Sequence, residues 1–169
     1  NVSGDENAER LIWSENLARV PEGLAGRPGA ELVYFVGCVG AFYPQSYRIP
    51  QALTRLLAAA GADFTTLGPD EWCCGYPLIA LGEGEQAAVM ARHNVQVLEE
   101  LGARQLVTTC PSCFHMWAHL YPDLLGRAPD VEVLHATELL ARLMEEDALP
   151  MGELSLTVTF HDPCDLGRK

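Results

Sequence analysis

The chain has 169 residues, 49% of them hydrophobic, which is enough for one domain with a real core and too little for two ordinary ones. Its net charge is −12, and its 11 basic residues are ten arginines and one lysine, Lys169, scattered rather than clustered, which argues against nucleic acid and anionic membrane as partners. No apolar run approaches the ~20 residues that span a bilayer, so no transmembrane segment is expected. The polar start NVSGDENAER has neither the basic nor the apolar part of a signal peptide, and the expected location is cytoplasmic, where thiols stay reduced.

In chain order, residues 1–30 read as a polar lead-in arm with one short helix around Ala8 to Asn16, followed by the Gly- and Pro-rich GLAGRPGAE. ELVYFVGC (31–38) is an apolar, aromatic and β-branched run suited to a buried strand. PQSYRIPQALTRLLAAAGA (44–62) predicts a helix with Leu53, Leu56, Leu57 and Ala60 on one face. DFTTLG (63–68) predicts a second strand, and residues 83–103 predict a helix with acidic residues in its first turn and Gly102 near its end. RQLVTTC (104–110) follows as a strand, then a helix over 111–126 that opens on Pro111 and turns Phe114, Trp117, Tyr121 and Leu124 toward the core. VEVLHA (131–136), a helix over 137–149 and LSLTVTFHDPC (154–164) supply a fourth strand, a fourth helix and a fifth strand. Strands alternating with helices predict an α/β fold with a parallel sheet of about four to five strands and helices on both faces.

On that map Cys38, Cys110 and Cys164 stand at the C-terminal ends of predicted strands, and Cys73 and Cys74 lie in the loop after the second strand. All would share the carboxyl edge of the sheet, where open parallel sheets bind ligands. The first five cysteines follow C-x34-C-C-x35-C-x-x-C. Soft thiolates select zinc, Cu(I) or iron–sulfur clusters. Zinc takes four tetrahedral ligands and would leave one thiolate over. Neighbours in an extended segment point to opposite sides, so Cys73 and Cys74 suit different irons of a polynuclear centre better than one small ion. Cys110-Pro-Ser-Cys113 crosses from a strand end into a helix start, which stabilises thiolates and also fits a thiol–disulfide dithiol, although a dithiol leaves Cys38 and the doublet unexplained. Structural disulfides fit least, since the core needs no staples and adjacent cysteines join only through a strained ring.

GC at 37–38, CCG at 73–75, CPSC at 110–113 and HDPCDLGR at 161–168 resemble the cysteine-rich CCG domain family. That family includes the B subunit of heterodisulfide reductase, the C subunit of anaerobic glycerol-3-phosphate dehydrogenase and lactate-utilisation iron–sulfur oxidoreductases. The resemblance covers residues 31–169. It implies an electron-transferring iron–sulfur oxidoreductase subunit or domain, with Cys38, Cys73, Cys74, Cys110 and Cys113 holding a 4Fe-4S cluster, non-cubane as in the heterodisulfide reductase member. It also implies a redox partner subunit, ferredoxin-like or flavoprotein, and association with a membrane complex only through such partners. Members carry two such motifs in tandem, so the expected organisation is an arm at 1–30, a CCG domain at 31–160 and the start of a second, truncated motif at 161–169, where Cys164 would open a second site. The absent initiator Met and the stop five residues after Cys164 mark the expectation of a piece from a longer protein, inactive alone if catalysis needs both halves. Some relatives bind zinc in one motif, which keeps a zinc-bearing structural or assembly module as an alternative.

Other polar groups have two readings each. His115 and His119, one helical turn apart, suit metal ligation on one face or two partly exposed helix histidines. His161 and Asp162 suit proton relay or a turn before Pro163. Trp72, Tyr76 and Phe42 would wall a cluster from water or simply pack. Glu145, Glu146 and Asp147 read as a solvated helix end, and GEGE at 82–85 lacks the spacing of a phosphate or dinucleotide loop. No catalytic residue stands out.

Overall fold

The computed structural model describes residues 2, 4–149 and 151–167. Arg168, which closes the HDPCDLGR motif, and Lys169 lie outside the described residues.

Four strands form one all-parallel sheet: β1 (Leu32–Phe35), β2 (Phe64–Thr66), β3 (Gln105–Thr108) and β4 (Glu132–His135), in the order β2-β1-β3-β4. Leu32 pairs with Phe64 on one side and Gln105 on the other, and Thr108 pairs with His135. All four residues of β1 are buried, which is why LVYF is a continuous apolar run rather than an alternating one. Alternate residues serve opposite faces: Val33 and Phe35 pack with Val95, Leu98, Trp117 and Tyr121, whereas Leu32 and Tyr34 pack with Trp13, Leu57 and Leu139. Helices therefore cover both faces, as expected from sequence.

The helices between strands are α1 (Gly37–Phe42), α2 (Arg48–Ala59), α3 (Tyr76–Ala80) and α4 (Gly84–Leu101), the last ended by Gly102 at φ +73°. In α2 the buried side is Pro50, Leu53, Thr54 and Leu57; Leu56 is exposed, because the face centred on Leu53 and Leu57 turns it outward. The helix predicted over 111–126 comes in three pieces, α5 (Pro111–His115), a π turn (Met116–Leu120) and α6 (Tyr121–Leu125). The π turn still sets Trp117 and Tyr121 fully inside, while Phe114 and Leu124 are only partly buried. After β4 come α7 (Ala136–Glu145) and, near the end, α8 (Cys164–Gly167).

The polar start folds onto this frame. A 3-10 turn spans Asn7–Ser14 and inserts Trp13 into the core. Farther on, Thr66 N–H donates to Leu24 O at 2.7 Å and Gly26 N–H to Thr66 O at 2.8 Å, so residues 24–26 cover the outer edge of β2.

The fifth strand does not form. Residues 151–163 have no regular structure, and Leu154, Leu156, Val158 and Phe160 are 70–82% exposed. Their alternation is that of a strand, but they pair with none of β1 to β4, and alternation makes a strand only where a neighbour takes its hydrogen bonds. Cys164 consequently sits in α8 and not at a strand end. Among the described residues no helix is long and apolar enough to cross a membrane.

Candidate metal centre

The chain runs from β1 to β2 on one side and then returns to β3 on the other, so the strand order reverses between β1 and β3. Loops diverge there and leave a crevice at the carboxyl ends, the usual ligand position in such sheets. Cys38 lies in the first turn of α1 just past β1, and Cys110 precedes α5 just past β3. The segment after β2 carries Cys73 and Cys74 to the same place. One cavity of about 180 Å³ is lined by all five, Cys38, Cys73, Cys74, Cys110 and Cys113, together with Tyr76 and Ser112. Cys73, Cys74 and Cys113 are buried; Cys38 and Cys110 are half-buried toward the mouth. All are free thiols.

Two glycines make the approach. Gly37 has φ +78°, and a Cβ there would stand 3.1 Å from Cys113 Sγ. Gly75, at φ +89°, turns the chain from the doublet into α3 and lies close to the backbone of Ala87. The CCG and GC glycines thus let the loops close on the sulfurs.

The thiols hydrogen-bond in series. Cys38 donates to Cys73 and Cys73 to Cys74, while Cys113 is shared between Cys74 and Cys110. Backbone N–H groups also point at sulfur: Gly75 to Cys73 at 3.5 Å, Tyr76 to Cys74, and Ser112 and Cys113 to Cys110. The bond from Cys113, with those N–H groups, lowers the Cys110 thiol to about 6. Cys74 is held down by Cys113 and Cys73, and Cys113, whose single proton is shared between Cys110 and Cys74, is pushed up by those contacts and by burial. Cys38 rises because it donates to Cys73 and is buried. Cys73 also stands above its ordinary value: accepting from Cys38 lowers it, but donating to Cys74 and burial outweigh that. Sulfurs that accept become thiolates first, which is the state a soft metal needs. Among the described residues no three His, Cys, Asp or Glu side chains are arranged to hold a single ion.

A polar shell fixes these loops. Asn94 accepts from Trp72 N–H at 2.9 Å and donates to Cys73 O at 3.1 Å and to Tyr121 Oη at 3.2 Å; Tyr121 donates to Cys74 O at 3.1 Å. On the other side a buried ion pair joins Arg10 to Glu71, 2.5 Å apart. Glu71 accepts from Val36 N–H at 2.9 Å and Gly37 N–H at 2.8 Å. At the mouth Asp165, from α8, accepts from Ser112 Oγ at 2.6 Å and Tyr76 Oη at 3.2 Å. None of Arg10, Glu71, Asn94 or Asp165 was expected from the sequence; only Asn94 left a visible trace, a polar residue on the apolar stripe of α4 with Ala87, Ala91 and Leu98.

The other candidates fall elsewhere. Cys164 is exposed and does not line the cavity. His115 and His119 stand with ring centroids 5.3 Å apart, neither lining it. Trp72 stacks on His93 at 3.7 Å, and Phe42 lies under the Arg10 guanidinium at 5.0 Å; of the three aromatic candidates Tyr76 lines the cavity. His161 is exposed, and Asp162 is partly buried.

The chain is similar to several known proteins. The D subunit of the dihydromethanophenazine:CoB–CoM heterodisulfide reductase of Methanosarcina acetivorans is 38% identical over 166 residues, covering 96% of this chain and 40% of the relative. An EtfAB:quinone oxidoreductase of Syntrophomonas wolfei is 34% identical over 95% of this chain and 23% of its own length. A probable iron-sulfur-binding oxidoreductase, FadF, of Bacillus subtilis is 33% identical over 82% of this chain and 19% of its own. The chain thus spans two fifths or less of these relatives. No solved structure matches it. The family described as a cysteine-rich domain, CCG, matches residues 32–117, a little over half of the chain and the span that holds all five clustered cysteines. The chain belongs to the cysteine-rich CCG domain family.

Proposed function

We propose that the chain is an electron-transfer domain of an iron–sulfur oxidoreductase and that Cys38, Cys73, Cys74, Cys110 and Cys113 hold its 4Fe-4S cluster. The observation that carries this reading is the convergence of five sulfurs from three loops on one cavity of about 180 Å³. The residues fit such a group: the donors are all soft, they outnumber the four that zinc takes, and backbone N–H groups are already turned toward sulfur. A bound cluster would supply one-electron transfer, which side chains cannot.

The chain's own residues do the rest. Accepting bonds from Cys113 and backbone N–H groups favours thiolate at Cys74 and Cys110. Asn94 and Tyr121 hold the doublet's backbone in place, and Trp117 and Phe35, edge to face at 5.5 Å, belong to the dry core beside it. Ser112 and Tyr76, tied to Asp165, line the mouth where Cys38 and Cys110 remain partly accessible. The relatives are named as part of a reductase and as oxidoreductases, which supports a redox partner that supplies or accepts electrons.

Anaerobic expression followed by iron and acid-labile sulfide analysis tests the reading. The expected result is about four irons and four sulfides per chain, lost when Cys73 and Cys74 are replaced by serine. Zinc without iron would overturn it in favour of a zinc module. Neither metal, together with dithiol turnover, would favour the thiol–disulfide alternative, for which the lowered Cys110 beside Cys113 is the specific support.

A further inference from the structure

The three thiols Cys73, Cys74 and Cys110 receive backbone N–H groups; Cys38 receives a guanidinium. Arg10, in the 3-10 turn and outside the span matched by the family, is 2% exposed, and its Nη2 donates to Cys38 Sγ at 3.5 Å. Its Nη1 meets Glu71 Oε1 at 2.5 Å, and the ring of Phe42 lies 5.0 Å from its carbon centre. Glu71 also accepts the N–H groups of Val36 and Gly37, the residues just before Cys38. One carboxylate therefore fixes both the loop that bears the sulfur and the cation that faces it.

We propose that Arg10, held by Glu71, is a positioning residue that sets the charge at Cys38 and so raises the reduction potential of the centre; this rests on the reading that Cys38 is a cluster ligand. A buried ion pair is a poor way to gain stability, since well-packed apolar residues of similar size do as well or better. What an apolar pair cannot do is present a fixed positive charge to a sulfur. On reduction a cluster gains one electron and one negative charge, and a cation and N–H···S bond at a ligand favour that state. The guanidinium fork meets the carboxylate with one nitrogen and leaves the second for Cys38, which lysine cannot reproduce with a single ammonium.

The test compares the anaerobically prepared chain with Arg10→Gln, Arg10→Lys and the double variant Arg10→Gln/Glu71→Gln, in which neither charge is buried alone. Iron and sulfide content should be unchanged. The midpoint potential should fall in Arg10→Gln by roughly a tenfold change in the one-electron equilibrium or about 59 mV, with Arg10→Lys between; in the double variant, which also removes the opposing Glu71 carboxylate, it should fall by less. Equal iron loading with equal potentials would overturn the inference and leave the cluster reading intact. If the parent chain takes no iron, the cluster reading fails by itself. The role of Arg10 is then read on the cobalt(II)-loaded chain, where the thiolate-to-metal charge-transfer band should move to lower energy in both Gln variants; an unmoved band overturns it. A chain that binds neither metal overturns both.

Discussion

The two walls of the cysteine cavity are built on different principles. The wall behind the doublet is neutral: an asparagine amide and a tyrosine hydroxyl bond the backbone of Trp72, Cys73 and Cys74, amid Trp117, Val95 and Leu98. The wall behind Cys38 is charged: Arg10 and Glu71 lie almost wholly inside, and one of them touches sulfur. Neutral bonds to main chain hold a loop with little change in the field at the sulfurs. A buried ion pair holds a loop too, but it brings a large desolvation cost and a fixed field. The molecule therefore positions the doublet's two sulfurs with neutral groups and places its one buried ion pair among the described residues at Cys38.

The largest effect should come from unbalancing the charged wall. Glu71→Leu leaves the Arg10 cation without its carboxylate and two N–H groups without their acceptor, and a loss of about 3–5 kcal/mol in unfolding free energy is expected. Urea denaturation measures it, and a variant as stable as the parent would mean that the two walls are energetically alike. On the neutral wall, Asn94→Leu keeps volume but leaves Trp72 N–H and Cys73 O without their Asn94 partner, for an expected loss of about 2–3 kcal/mol. A loss equal to or larger than that of Glu71→Leu would reverse the ranking.

The smallest effect lies outside both walls and serves as their control. Burial lowers the His135 imidazole below its ordinary value. Its neutral Nδ1 accepts from Thr137 N–H at the start of α7, and Nε2 faces Thr109 O at 3.3 Å. The unfolded chain binds that proton more tightly, so the stabilisation is complete above about pH 6.5 and declines as pH falls through that value toward the lower folded one. Thermal unfolding at pH 7.5 and pH 5 should show a larger drop for the parent than for His135→Asn, by less than about 1 kcal/mol. An equal drop in both would remove His135 from the account.

The sheet was legible because its strands are buried on both faces and read as unbroken apolar runs between helical repeats. Where that reading failed, tertiary context decided. LSLTVTF has better strand alternation than DFTTLG, yet only the latter finds a neighbour, β1, to pair with. Leu56 has the side chain of a core residue and the helical phase of a surface one. The cysteines were legible as a set because doublet and pair spacing name a chemistry. Their supports were not: Arg10 reads as one charge in a polar stretch, and its burial depends on a carboxylate 61 residues away. Glu71 stands one residue short of the doublet, with Trp72 between them, but nothing in its neighbours says that it points inward.

The strand order also dictates when such a site can be completed. Cys38, the doublet and the Cys110–Cys113 pair follow three different strands, so they become neighbours only after β2 and β3 have both docked on β1. Contacts of such separation form late, because the loops between them must close first. A cluster on these five cysteines, as proposed, could not nucleate the chain as metal does in small zinc domains, where ligation and folding are one event. An ion caught early by the doublet alone, or by the local pair, would meet only a fraction of the donors and would obstruct the closing of the rest. On the proposed reading, delivery is therefore expected to follow synthesis of the chain through residue 113 and assembly of the sheet, with the cluster arriving last.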